Sequence, residues 1–212
     1  MNQNSRERVL DRIRQALAAT PPAPEPARGY LTTHTPDAPV TIVDLLHENL
    51  ADYRATVHRT TETELPDLVA ELLDRHHAHT VAVPPGLPAA WLSATTAEQH
   101  HDADATLTPH ELDTTDAVVT GCALAIAETG TIVLDGGPGQ GRRALTLVPD
   151  LHVCVVRAKD QVVASVPQAL PRLDPTRPQT WISGPSATSD IELDRVEGVH
   201  GPRRLDVVIV TR

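Results

Sequence analysis

The chain has 212 residues and a formal net charge of −10 at pH 7, and aromatic residues make up only 2% of it, with no Phe. Binding to a nucleic-acid backbone depends on clustered Lys and Arg, and base stacking depends on aromatic rings. The composition therefore argues against a nucleic-acid-binding protein.

The chain contains two cysteines, Cys122 and Cys154, and no CxxC motif. Two thiols are too few for a disulfide framework or for the ligands of a typical iron–sulfur cluster. The opening "MNQNSRERVL" lacks the apolar core of a signal peptide, and no apolar run has the length of a membrane span. We expect a cytoplasmic protein that does not enter the membrane and binds no cofactor of its own.

The N-terminal segment reads as a helical arm. In "RVLDRIRQAL", Val9, Ile13 and Leu17 recur at the spacing of an amphipathic helix. The following "TPPAPEPARGY" contains four prolines, which disfavour regular structure and favour an extended linker. We predict a helix and Pro-rich linker over residues 1–28 and one main domain over residues 29–212.

Helical and strand patterns alternate in the main domain. The stretches "VTIVDLLHENLADY" and "LPDLVAELLDRHHA" have helical periodicity, whereas "ATVHRT" and "TVAVP" read as strands. Later strands are predicted at "DAVVTG", "ALAIAE", "GTIVLDG", "LHVCVV", "TWIS" and "LDVVIV". This alternation predicts an α/β fold with a mixed, largely parallel sheet flanked by helices, and a tight turn inside that sheet at Glu128–Gly130.

Three polar stretches follow apolar strands: "AETGT" (127–131), "GGPGQGRR" (136–143) and "SGPSATSDIE" (183–192). The stretch "GVHGP" (198–202) comes close behind the last of them. Ligands of open α/β sheets bind where strand ends give way to loops. We therefore expect the functional residues in these stretches.

Glu128 directly follows the apolar run "ALAIA". A carboxylate at the end of a buried strand, beside the backbone donors of the turn Thr129, Gly130 and Thr131, suits a general base or a nucleophile. The alternative is a structural role, in which Glu128 pairs with an arginine and Gly130 simply allows the bend.

The stretch "GGPGQGRR" lies after a strand but is not a dinucleotide fingerprint, because Arg142 stands where the last glycine would be, and it lacks the lysine of a Walker loop. Exposed backbone donors together with Arg142 and Arg143 could hold an anionic group. A plain flexible connection is the alternative.

The stretch "SGPSATSDIE" supplies a second set of candidate ligands for a small anionic substrate. Its polar residues could bind substrate, or its hydroxyls could simply cap a short helix. His200, which is followed by Gly201 and Pro202, could shuttle a proton or bind substrate, or could be a structural histidine. The predicted substrate-binding residues here are Ser183, Gly184, Ser186, Thr188 and Asp190, and those in the earlier stretches are Thr129, Gly130, Thr131 and Arg142.

Two histidine groups resemble metal ligands: His76, His77 and His79, and separately His100 and His101. The sequence fixes no carboxylate or cysteine companion for either group. We therefore predict no metal site.

Four strings together resemble the lactate utilization protein C family, also called the LUD domain family. They are "ERVLDRIRQAL", "TGCALAIAETGTIVLDGG", "GRRALTLVPDLHVCVV" and "WISGPSATSDIELDRVEGVHGPRRLDVVIV". The resemblance implies an α/β fold similar to the CoA-transferase, ribose-phosphate isomerase and formyltetrahydrofolate cyclo-ligase group. It also implies a role in oxidising L-lactate to pyruvate with two iron–sulfur partner proteins.

A subunit role agrees with the residues, because removing two electrons from lactate needs a redox centre that this chain does not encode. The iron–sulfur clusters are then expected in the partners. Two other hypotheses stay open: a stand-alone transferase-like or isomerase-like enzyme that uses Glu128, and a non-catalytic scaffold whose first helix docks a partner.

Overall fold

The computed structural model describes residues 3–18, 24–35, 38–188, 196–197 and 201–211. Residues up to Tyr30 form one compact unit, and residues from Leu31 onwards form a second. The first unit contains the predicted amphipathic helix, α1 (Gln3–Leu17). Its apolar residues Val9, Ile13 and Leu17 are 58%, 49% and 61% exposed.

The second unit contains the remaining elements of the described chain. Its helices are α2 (Pro39–Asp52), α3 (Leu65–Arg75), α4 (Pro109–Asp113), α5 (Ala158–Gln161) and α6 (Val166–Ala169). Its strands are β1 (Thr56–Thr60), β2 (Thr80–Val83), β3 (Glu98–His101), β4 (Ala117–Thr120), β5 (Leu124–Ile126), β6 (Thr131–Leu134), β7 (Leu151–Arg157), β8 (Val162–Val163), β9 (Thr180–Ile182), β10 (Ala187–Thr188), β11 (Val196–Glu197) and β12 (Arg204–Val210). Among the helices described, none is both long enough and apolar enough to cross a membrane.

Six strands form a main sheet in the order β1-β12-β7-β4-β2-β3, and every neighbouring pair is parallel. On β7, Val153 and Val155 belong to the same apolar cluster as the leucines of α3. The alternate residues, Cys154 and Val156, cluster with the leucines of α2. Because both faces of the sheet are covered, its central strands are almost continuously apolar. The predicted α/β fold with a largely parallel sheet is confirmed.

The turn at Glu128 lies in a separate, smaller sheet, so its predicted place inside the main sheet is wrong. Strands β5 and β6 form an antiparallel hairpin, and the four-stranded sheet has the order β8-β5-β6-β9. A tight hairpin pairs its strands antiparallel, which the all-parallel main sheet does not accommodate. Helix α2 connects the two sheets, since Leu46 and Leu50 share a cluster with Ile132 of β6 and Val207 of β12.

Two elements, the edge strand β3 and the short helix α4, are not predicted by the sequence pattern. Strand β3 has the sequence EQHH and lies at the sheet edge, where polar side chains remain largely exposed. Helix α4 has only five residues and begins at a capping box between Thr108 and Glu111. Neither element has the apolar periodicity on which strand and helix predictions depend.

Candidate functional site

The turn between β5 and β6 is shaped by its contact with α2. A 3₁₀ turn over Ala127–Thr129 ends at Gly130, which has a left-handed φ of 55°. A Cβ at Gly130 would lie 2.7 Å from the carbonyl carbon of Asn49, so a larger residue would collide with the α2 backbone. The Asn49 side chain also donates to the carbonyl oxygen of Ala127 at 2.7 Å. Gly130 therefore has a packing role, whatever part it takes in substrate binding.

Glu128 joins this turn to two other segments of the second unit. Its Oε1 accepts a hydrogen bond from the backbone N–H of Val166 at 2.7 Å, and its Oε2 lies 3.3 Å from Nδ1 of His34. The sequence predicts donors from Thr129 to Thr131, or alternatively an arginine partner. Those partners are replaced by Val166 and His34, because the start of α6 packs beside the hairpin. A catalytic role for Glu128 stays a prediction.

Three predicted substrate-binding residues form a chain of hydroxyl groups beside the turn. Thr129 Oγ1 donates to Thr131 Oγ1 at 2.8 Å, and Thr131 Oγ1 lies 2.7 Å from Ser183 Oγ. The next residue, Gly184, has a φ of 87°, and a Cβ there would collide with the carbonyl oxygen of Tyr53. The structure therefore brings the "AETGT" and "SGPS" stretches together, as their positions at strand ends predict.

A pocket of about 220 Å³ lies next to Ser183. Thr188 belongs to the short strand β10, whereas Asp190 and His200 lie outside the described residues. The roles predicted for Asp190 and His200 therefore stay predictions. The pocket's polar and glycine lining includes Arg143, Thr146, His152, Thr180, Ser183, Gly184, Ser186 and Gly201.

Arg142 is committed to an ion pair. Its Nε and Nη2 donate to the two carboxylate oxygens of Asp102 at 2.8 and 3.0 Å, and Nη2 also donates to the carbonyl oxygen of Leu107. Burial acts to raise the pKa of Asp102, but hydrogen bonds from Arg142 and from the Leu107 amide outweigh it and lower that pKa. Arg142 thus holds the chain after β3 in place, while the neighbouring Arg143 lines the pocket beside Ser183.

The glycine-rich loop after β6 directs several of its own amides inward. The Asp135 amide donates to Gln140 Oε1 at 2.6 Å, and the Gly137 amide donates to Asp135 Oδ1 at 3.0 Å. The Gly139 amide donates to the carbonyl oxygen of Pro85 at 2.7 Å. The loop uses these three amides to fold against itself and the segment after β2, and anion binding by the stretch 136–143 stays a prediction.

The same loop forms one wall of a pocket of about 450 Å³. Its other walls come from the segments after β2 and β4 and from three arginines that the sequence analysis did not single out. Arg157 ends β7, and Arg172 and Arg177 lie between α6 and β9. Arg157 belongs to a different segment from Arg172 and Arg177, so their convergence on one pocket has no local sequence signal.

His76, from the first histidine group, shares a buried carboxylate partner with His58. Nε2 of His76 and Nε2 of His58 each lie 2.8 Å from a different carboxylate oxygen of Asp206, which is buried in β12. This arrangement links the end of α3 to β1 and β12. Within the described residues, no three His, Cys, Asp or Glu side chains are grouped as metal ligands.

Comparison with known proteins places these features in one family. Residues 43–210 match the family model described as LUD domain. The chain is 45% identical to lactate utilization protein C of Deinococcus radiodurans, over 95% of this chain and 93% of that protein. It is 30% identical to lactate utilization protein C of an Exiguobacterium species, over 97% of this chain and 96% of that protein.

A solved structure shows the same fold. The crystal structure of a DUF162 family protein from Deinococcus radiodurans, at 1.70 Å resolution, has a TM-score of 0.69 and 40% identity to this chain. The match covers 82% of this chain and 99% of that one. Together with the family-model match, these similarities show that the chain belongs to the LUD domain family.

Proposed function

We propose that this chain is a lactate-utilization protein that supports oxidation of L-lactate to pyruvate as a subunit beside two iron–sulfur partner proteins. The observation that carries the proposal is the similarity, over almost the whole of both chains, to relatives named lactate utilization protein C. The similarity is not confined to one element, since it spans both sheets and the connecting helices.

The cysteines support placing the redox centre in the partners. Cys122 and Cys154 are the only cysteines of the sequence, and both are buried. The neighbouring Cys154 thiol, together with burial, raises the pKa of Cys122 and disfavours its thiolate. Because clusters are typically held by four thiolates, this chain lacks a cluster ligand set of its own.

Growth of the host organism tests the proposal. A strain lacking this chain should fail to grow with L-lactate as the carbon source but should grow normally on pyruvate, and a plasmid copy of the chain should restore growth on L-lactate. Growth of the deletion strain on L-lactate at the parental rate would contradict the proposed role.

Affinity purification tests the subunit relationship separately. A tagged copy of the chain, expressed in its host at native level, should retain two proteins that carry iron and acid-labile sulfide. The chain purified alone should show no visible absorbance band. Recovery of the tagged chain without iron-containing partners would contradict the proposed assembly. It would not contradict a role in growth on L-lactate, which the growth experiment tests.

A further inference from the structure

The 450 Å³ pocket lies where open parallel sheets most often bind ligands. Neighbouring strands β2 and β4 are parallel, and their outgoing connections run in opposite directions: β2 leads to β3 at the sheet edge, whereas the chain from β4 eventually reaches β7 on the other side. Such a reversal opens a crevice outside the carboxyl ends of the two strands. Gly86, which follows β2, and Gly121 and Cys122, which follow β4, all line this pocket.

The charge of the pocket is opposite to that of the protein. Three arginines and one aspartate, Asp135, line it, whereas the whole chain has a formal net charge of −10. Arg177 donates from Nη1 to Asp135 Oδ2 at 2.8 Å, and Arg157 donates from Nη2 to Asp160 Oδ2 at 3.2 Å. Each of these contacts uses one nitrogen of a guanidinium group that has five N–H donors. The local excess of positive charge favours an anionic ligand.

Gly137 of the glycine-rich loop packs closely against polar side chains, among them that of Arg177. Gly137 does not have a left-handed φ, so its backbone conformation does not require glycine. A Cβ at Gly137 would lie 2.9 Å from Asp135 Oδ1, 3.0 Å from Gln140 Nε2 and 3.5 Å from Arg177 Nη2. The missing side chain therefore lets the Asp135 carboxylate, the Gln140 amide and the Arg177 guanidinium approach one another in the pocket wall.

We propose that this pocket binds a small organic anion, whose carboxylate or phosphate oxygens are held by Arg157, Arg172 and Arg177. A planar guanidinium group matches either oxyanion with paired hydrogen bonds. A volume of about 450 Å³ is within the range of small-molecule sites. The proposal that the pocket binds an anion does not depend on the proposed function. The further step, that this anion is L-lactate or pyruvate, rests on the proposed function.

Trp91 provides a direct reporter, since it lines the pocket and lies beside Gly121. The other tryptophan, Trp181, is 41% exposed and lies on β9. In a Trp181→Phe background, Trp91 fluorescence should be followed while L-lactate, pyruvate, inorganic phosphate or ADP is added, and calorimetry should give the affinity. Saturable binding of at least one probe is expected. Failure of all four to bind at 10 mM would overturn the proposal.

Substitutions of the pocket's arginines test whether the anion binds in this pocket. Arg157→Gln, Arg172→Gln and Arg177→Gln should each weaken binding about tenfold or more, whereas Arg75→Gln should leave it unchanged, because Arg75 forms an exposed ion pair with Glu71 on α3. Asp135→Asn should act in the opposite direction and tighten binding severalfold, because it removes the one carboxylate of the wall but keeps an oxygen for the Gly137 amide.

The outcomes separate this inference from the proposed function. Binding of phosphate or ADP but not of L-lactate or pyruvate would support the anion site and oppose its link to lactate. Binding that is equally strong in the three arginine variants and in Arg75→Gln would overturn the assignment to this pocket. The Asp135→Asn result stays decisive if an arginine variant fails to fold, since unchanged or weaker binding in Asp135→Asn would also contradict the proposal.

Discussion

The Glu128 carboxylate accepts a hydrogen bond of 2.7 Å from the backbone amide of Val166, and so ties the β5–β6 turn to the first residue of α6. Glu128→Ala should lower the free energy of unfolding by about 1–3 kcal/mol, because the Val166 amide loses its acceptor in a partly buried place. Glu128→Gln retains a carbonyl oxygen and should lose less than about 1 kcal/mol. Urea unfolding followed by circular dichroism would measure both.

The same pair of variants tests the catalytic role predicted for Glu128. Loss of lactate-dependent activity in Glu128→Gln, at unchanged stability, would support that role. Full activity of Glu128→Gln would restrict Glu128 to the anchoring contact with Val166. Equal stability of Glu128→Ala and the parent chain would instead contradict the anchoring contact itself.

The Asp102–Arg142 pair should make stability depend on pH at the acid end. Asp102 is buried, and Asp102→Asn should lower the free energy of unfolding by about 2–3 kcal/mol at pH 7, because Arg142 loses its charged partner. Since folding lowers the pKa of Asp102, the pair stabilises the protein above the unfolded value of about 3.9 and loses this effect as pH falls through the folded pKa.

Thermal unfolding between pH 3 and pH 8 would check this dependence. The difference between the parent chain and Asp102→Asn should shrink as the acid end is approached. Asp44→Asn is the matched control, because Asp44 pairs with Arg59 in an exposed contact and its loss should change stability by under about 1 kcal/mol. A difference for Asp102→Asn that is constant over this range would contradict the pKa assignment.

Gly130→Ala should be among the most damaging single substitutions in the chain. The added Cβ would lie 2.7 Å from the Asn49 carbonyl carbon, at a backbone φ of 55° that alanine rarely adopts. We expect a loss of at least about 2 kcal/mol in stability. Gly29→Ala is the control, since a Cβ at Gly29 meets no atom within 4 Å. Similar melting midpoints for the two variants would contradict the close packing of the turn on α2.

Deleting residues 1–28 should leave the second unit folded. The reason is the Pro-rich segment after this helix, whose four prolines favour an extended linker before the main domain. The truncated chain should unfold in one cooperative transition, with a midpoint within about 3 °C of the full chain. Loss of the cooperative transition would show that the first helix completes the main core.

The two sheets show what the sequence could and could not predict. Val- and Ile-rich runs identified β4, β7 and β12 because both faces of these strands are buried. The same runs do not encode pairing, so β5 and β6 were placed in the wrong sheet. Strand β3 escaped prediction because its EQHH sequence suits an exposed edge.

The candidate sites show the same limit. The sequence identified the polar stretches, since each follows an apolar strand, and the structure brings Thr131 and Ser183 into contact. It did not reveal that Glu128 meets Val166, or that Arg157, Arg172 and Arg177 line one pocket with the loop after β6, because these contacts join different segments of the chain. Only the tertiary packing determines them.

Lactate-dependent electron transfer by the reconstituted system tests the proposed function most directly. The two proposed iron–sulfur partners would be purified from a strain lacking this chain, and L-lactate-dependent reduction of an artificial electron acceptor would be measured before and after the purified chain is added. Each lactate yields two electrons, so we expect pyruvate and the reduced form of a two-electron acceptor in equal amounts only when the chain is present, and neither product with D-lactate. Equal rates with and without the chain would contradict its role in lactate oxidation.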